Sequence, residues 1–148
     1  MKTFETKWWT VRVPDGTSIS SCRDYVSIKM PDEPDSEIRL TVLRGEHSDT
    51  TLEDLETYAS SFYDGMQDRI PINRNGWTGF VFVHVDTTSK QASCRGYFGK
   101  GRYLLIATVN DGIIKTNHEI LGKMLEQLEV KIGDCQGLTL PNGSQRPR

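Results

Sequence analysis

A chain of 148 residues, 36% hydrophobic and 26% charged, has the size of one domain and the composition of a globular protein, which argues against disordered, collagen-like and membrane classes. Its formal charge of -2 provides no basic excess for a general polyanion binder, so nucleic acid is not an expected partner. Cys22, Cys94 and Cys135 are odd in number and far apart, which leaves neither a disulfide framework nor a Cys-x-x-Cys pair. From residue 4 to residue 13, Trp9, Val11 and Val13 alternate with Thr10 and Arg12, the period of a strand with one buried face. Pro14-Asp15-Gly16 ends it. Residues 25–30 repeat the alternation through Val26, Ile28 and Met30, and a third strand follows with Ile38, Leu40 and Val42 inward.

The period then changes. Leu52, Leu55, Ala59, Phe62, Tyr63, Met66 and Ile70 fall on one helical face, and Thr50 with Glu53 forms the pattern of a capping box. Pro71 is expected to end this helix. Trp77–Val85 is rich in aromatic and β-branched residues and predicts a buried strand. Residues 92–98 and Tyr103–Val109 predict two more, joined through Gly99-Lys100-Gly101. Residues 111–130 carry helical spacing through Ile113, Asn117, Ile120, Leu121, Met124, Leu125 and Leu128, with Thr116 and Glu119 as a second capping box. The predicted fold class is therefore α+β, a curved antiparallel β-sheet with two helices in the order βββ-α-βββ-α. Residues 1–132 form a single domain in this reading, and 133–148, rich in Gly, Pro, Ser, Gln and Arg, form a flexible tail.

The early Trp-x-Val-x-Val-Pro strand, the capped middle helix, the Gly-Trp/Phe strand, the hairpin and the closing Ile-Leu-x-x-Met-Leu-x-x-Leu helix together resemble the PsbP-like superfamily. Within it, the resemblance is nearest to the bacterial group that holds the effector-associated chaperones of type VI secretion. The resemblance covers about residues 4–131. Gln91, Arg95, Tyr97 and Phe98 match that group's aromatic, Gln- or Arg-rich strand only loosely. What it implies is a cytoplasmic, non-enzymatic module that holds a segment of another protein, an effector or toxin, against its sheet, as a chaperone-like adaptor or an immunity protein. It implies no cofactor and no membrane, and is compatible with a homodimer.

The candidate partner-binding residues are Trp8, Phe80, Phe82, His84, Arg95 and Tyr97. In the strand Trp77–Val85 both alternating sets are apolar, so one set can pack on the helices while the other meets a partner, or both are core. Trp8 and Trp9 are adjacent, so within one strand they point to opposite faces, and an outward tryptophan is a favoured interface anchor. The acidic stretch Asp32, Glu33, Asp35 and Glu37 lacks the glycine and ligand periodicity of a calcium loop and reads as a solvated turn.

Catalysis has no visible constellation. His47, His84 and His118 lack metal-ligand spacing, and no cue joins a histidine to a serine or cysteine nucleophile. Gly79-Phe80-Val81-Phe82-Val83 has part of the pattern of an RNA-recognition strand. It lacks the basic residue before glycine, and Pro71 to Gly76 reads as too short for the preceding strand and its turn. The alternative function is a small-molecule-binding or hydrolytic protein with His84 and Cys94 as polar groups in a pocket between sheet and helices.

Overall fold

The computed structural model describes residues 1–33, 35–45, 49–61 and 68–131, which form ten strands and two helices. Hairpins build most of it. β1 (Lys2–Glu5) turns into β2 (Trp9–Val13) through Thr6, whose hydroxyl accepts from the Trp9 amide at 3.1 Å. The single strand expected over residues 4–13 is thus two antiparallel strands, and Trp8 belongs to the turn between them. After the turn closed by Thr17 N–H on the Pro14 carbonyl come β3 (Ser18–Ser21), β4 (Val26–Lys29) and β5 (Glu37–Arg44). β3 has no apolar alternation beyond Ile19 to announce it; its register against β4 creates it.

α1 (Leu52–Ser60) starts one residue later than expected. Thr51 and Asp54, not Thr50 and Glu53, form the capping box, each side chain accepting from the other's amide at 3.1 and 2.9 Å. Thr50 is occupied elsewhere, donating its amide to the Gly101 carbonyl at 2.7 Å. Of the predicted helical face, Leu55 and Ala59 are buried, while Phe62, Tyr63 and Met66 lie outside the described residues. Ile70 does not extend the helix. It opens β6 (Ile70–Arg74), which turns through Asn75-Gly76 into β7 (Trp77–Val85). Both turn residues have positive φ, 55° and 81°, as the tightest hairpin loop requires. The stretch from Pro71 to Gly76 therefore does hold a strand and a turn, which removes that argument against an RNA-recognition order.

β8 (Ala92–Lys100) and β9 (Tyr103–Val109) follow, then α2 (Ile114–Glu126) and β10 (Leu128–Val130). The second capping box is absent. The Asp111 carboxylate instead accepts from the Ile113 amide at 3.1 Å and from the buried Asn117 side chain. The helix expected to reach residue 130 stops at Glu126. Asn75 Nδ2 donates to the Leu125 and Leu128 carbonyls at 3.1 and 3.3 Å, and Trp77 Nε1 donates to Leu128 at 3.1 Å. Those carbonyls are satisfied without another helical turn, and Leu128–Val130 pairs with β2.

The architecture is α+β with antiparallel pairing throughout, but with two sheets where one was expected. Seven strands run in the order β3-β4-β5-β9-β8-β7-β6, and β1-β2-β10 form a separate three-stranded sheet. Alternation sorts the side chains of the large sheet between two cores. Trp9, Val11, Ile28, Trp77, Val81, Phe98, Leu121 and Leu128 share one core, made where α2 and the small sheet cover one face. Leu55, Ala59, Phe80, Phe82 and Tyr97 form the other, under α1. Gly79 allows the sheet to close: a Cβ there would lie 1.9 Å from the Tyr97 carbonyl oxygen. Among the described residues no helix is long and apolar enough to cross a membrane. The expected tail, 133–148, lies outside the described residues.

Candidate functional site

The face of the large sheet that carries α1 is divided in two. Toward one end, Phe80 and Phe82 of β7 and Tyr97 of β8 form a ring cluster with centroids 6.1 to 6.2 Å apart, sealed by Leu55, Ala59 and Tyr58. Arg69 lies over the Phe80 ring at 5.2 Å and contacts Glu56 of α1. Toward the other end, the same alternation brings polar residues to the surface. His84 of β7 stands opposite Ser93 of β8, and Thr108 of β9 stands between Arg95 of β8 and Arg39 of β5. A groove of about 290 Å³ runs across these four strands. Its lining is exposed or half-buried apart from Val109, so among the described residues it has a floor and no roof.

Hydrogen bonds orient the charged groups. Glu37 accepts from the Ser27 hydroxyl at 2.6 Å on one carboxylate oxygen and from Arg39 Nε at 3.0 Å on the other. The Arg39 guanidinium also stacks 4.5 Å from the Tyr25 ring centre. Ser27 first, then Arg39, outweighs partial burial and holds the Glu37 carboxyl below the usual carboxylate range. At the far end of the groove Asp86 accepts from the Ser89 and Thr88 amides, at 2.9 and 2.8 Å, which lowers its pKa as well. Both acids are thus held ionised. On β8, Arg95 Nε donates to Ser93 Oγ at 3.0 Å.

Of the six candidate residues, the groove gathers two, His84 and Arg95. Phe80, Phe82 and Tyr97 are corrected: at 2%, 4% and 3% exposure they are covered by α1 and cannot stack on a base or meet a partner while that helix is docked. The apolar sets of β7 are both core as far as Phe82, and only Val83 and Val85, at its end, are exposed. Trp8 is corrected too. It is half-buried in the β1–β2 turn, packed on the core of the opposite face with Lys7 6.0 Å from its ring centre, and has no part in the groove. His84 and Cys94 cannot share a pocket, because in the β7–β8 register His84 pairs with Ser93 while Cys94 faces α2, with Asn117 Nδ2 at 3.4 Å. Burial pushes the Cys94 thiol up, away from reactivity.

Acidic residues of the 32–37 stretch are engaged locally. Ser36 donates to Glu33 at 3.4 Å and to Asp111 at 3.2 Å, and the Asp35 carbonyl accepts from Asn110. Among the described residues no three His, Cys, Asp or Glu side chains gather to hold a metal ion. His118 is half-buried on α2, and His47 lies outside the described residues. Arg39, Ser93 and Thr108 were missed as site residues, and Glu37 was placed in the acidic turn, whereas it opens β5 and lines the groove. The signal was present in the polar set Glu37, Arg39, Thr41 alternating with Ile38, Leu40, Val42, but only the strand order places that set beside His84 and Arg95.

No family model and no curated protein matches the chain. A crystal structure from Bacteroides thetaiotaomicron VPI-5482, at 1.50 Å resolution, is similar in fold, with a TM-score of 0.58 at 11% identity over 88% of this chain and 48% of that one. At this identity the likeness speaks for the fold alone, and this chain spans about half the length of the protein it matches.

Proposed function

We propose that the protein is a non-enzymatic binding module that holds a segment of another protein in the groove beside α1. In this reading it serves in the cytoplasm as a chaperone-like adaptor or an immunity protein for a secreted effector or toxin. The observation that carries the proposal is the division of one sheet face: α1 covers the apolar half and leaves beside it a polar groove whose arginines are oriented by Glu37 and Ser93. Such a surface offers hydrogen bonds and charge to an extended chain. It is too open to enclose a small molecule, whose sites bury most of the ligand. The non-enzymatic part is supported by the separation of His84 from Cys94 and by Glu37 and Asp86 being held ionised instead of poised to exchange a proton. What supports the PsbP-like part is that each element behind the resemblance occurs in the same order, with additional strands between them.

Capture from the native cell with the full chain as bait in mild salt is the test. The expected result is one protein recovered in stoichiometric amount, and lost when Ser93→Trp fills the groove. Recovery of no stoichiometric protein, or undiminished capture by the filled groove, overturns the proposal.

A further inference from the structure

The groove's charges are not equivalent, and their hydrogen bonds show which are spent. Glu37 has one carboxylate oxygen on Ser27 and the other on Arg39, and Asp86 is turned into its own loop by two amides. Arg39 gives only Nε to Glu37, is braced on its flat side by Tyr25, and its side chain is 49% exposed. An arginine held by Nε and by its face keeps its two Nη groups as a rigid fork for a further acceptor, the geometry that suits a planar carboxylate. Thr108 lies between Arg39 and Arg95 in register, one strand from each, so the two arginine Cα atoms stand about 10 Å apart with a hydroxyl between them.

Resting on the protein-binding reading above, we propose that the groove receives an aspartate or glutamate carboxylate of an acidic protein segment, gripped by the Nη fork of Arg39 above Thr108, with Arg95 on the far side. Hydrogen-bond complementarity selects the carboxylate, since Glu37 already has a partner on each oxygen, Asp86 is turned toward its own loop by two amides on one oxygen, and Arg39 gives Glu37 only Nε, leaving its Nη fork for another planar acceptor. The open run of the groove across four strands, with no roof among the described residues, selects a protein segment over a free small acid, because an extended chain gains contacts along the groove that a small ion cannot make.

The test uses the full chain at low salt, titrated with hexaglutamate amidated at its C-terminus, with hexalysine amide and inorganic phosphate as comparison arms, read by the arginine Nε–Hε signals in NMR. Hexaglutamate is expected to move the Arg39 and Arg95 signals, and Arg39→Gln to weaken its binding by about tenfold or more. Arg39→Lys keeps the charge without the fork and should recover only part of the loss. Arg95→Gln and Thr108→Val serve as second variants, with the thermal midpoint confirming that each is folded. The proposal is overturned if these variants bind hexaglutamate within about twofold of the parent, if Arg39→Lys binds as well as the parent, if hexalysine moves the same signals, or if equimolar phosphate displaces the peptide. The two readings fail separately. A captured partner held equally by the parent and Arg39→Gln removes the carboxylate site and leaves the protein-binding reading. Groove binding of hexaglutamate without any captured partner does the reverse.

Discussion

The two faces of the seven-stranded sheet are covered differently. On one, α2 and the small sheet join twenty of the described residues into a continuous core. On the other, the described residues at α1 form a buried cluster of five. The nine residues described for α1 span about 14 Å, whereas seven strands spread over about 29 Å, so such a helix cannot roof the whole face. The lesson is that one sheet divides its labour by side-chain alternation. The residues that point one way hold the fold, and those that point the other way are free, over half the width, to carry polar chemistry.

Removing one large ring from each face separates the two cores most strongly. Trp77 is fully buried and its indole N–H bonds the Leu128 carbonyl, so Trp77→Ala should cost about 4 to 5 kcal/mol in urea denaturation, against about 3 kcal/mol for Phe82→Ala under α1. Equal losses would mean that the two cores contribute alike. Next in size is Asn75→Ala, expected to cost about 2 kcal/mol by the same measurement. Alanine tolerates the positive φ poorly, and the Leu125 and Leu128 carbonyls each lose one donor, Leu128 keeping Trp77 Nε1 and Leu125 the Gln127 amide. A loss no larger than that of an exposed strand residue would show that the clamp between the β6–β7 turn and α2 contributes little.

The smallest expected effect is in the groove and depends on pH. The Glu37 carboxyl lies below its unfolded value in the folded state, so its contribution to stability is complete above the ordinary carboxylate range and is lost as pH falls through that range to the folded value. Asp86 shifts in the same direction, so the informative quantity is the difference between the parent and Glu37→Gln at each pH. That difference should shrink on acidification. A constant difference from neutral to acid would mean that the Ser27 and Arg39 contacts do not favour the ionised form.

Much of the fold was legible in the chain because alternation and helical spacing are local. The strands Trp77–Val85 and Tyr103–Val109 stand where their patterns put them, both helices fall inside their predicted stretches with Ile70 and Leu128 passing to strands instead, and Asn117, assigned to the buried face of α2, is buried. Asn75-Gly76 is also a hairpin signal, masked in the chain by the helical spacing that runs through Ile70. The groove was half legible, since His84 and Arg95 could be named from their strand but Arg39 and Thr108 could not.

Local patterning dictates which residues alternate, where α1 begins to within a residue, and that no concentrated run of charge or histidine exists. Only tertiary structure decided that Phe80, Phe82 and Tyr97 belong under α1, that Leu128–Val130 leaves the helix for a second sheet, and that β5 lies beside β9. The physical reason is that register and strand order are set by contacts between residues far apart in the chain, and a groove assembled across four strands exists only once those contacts have formed.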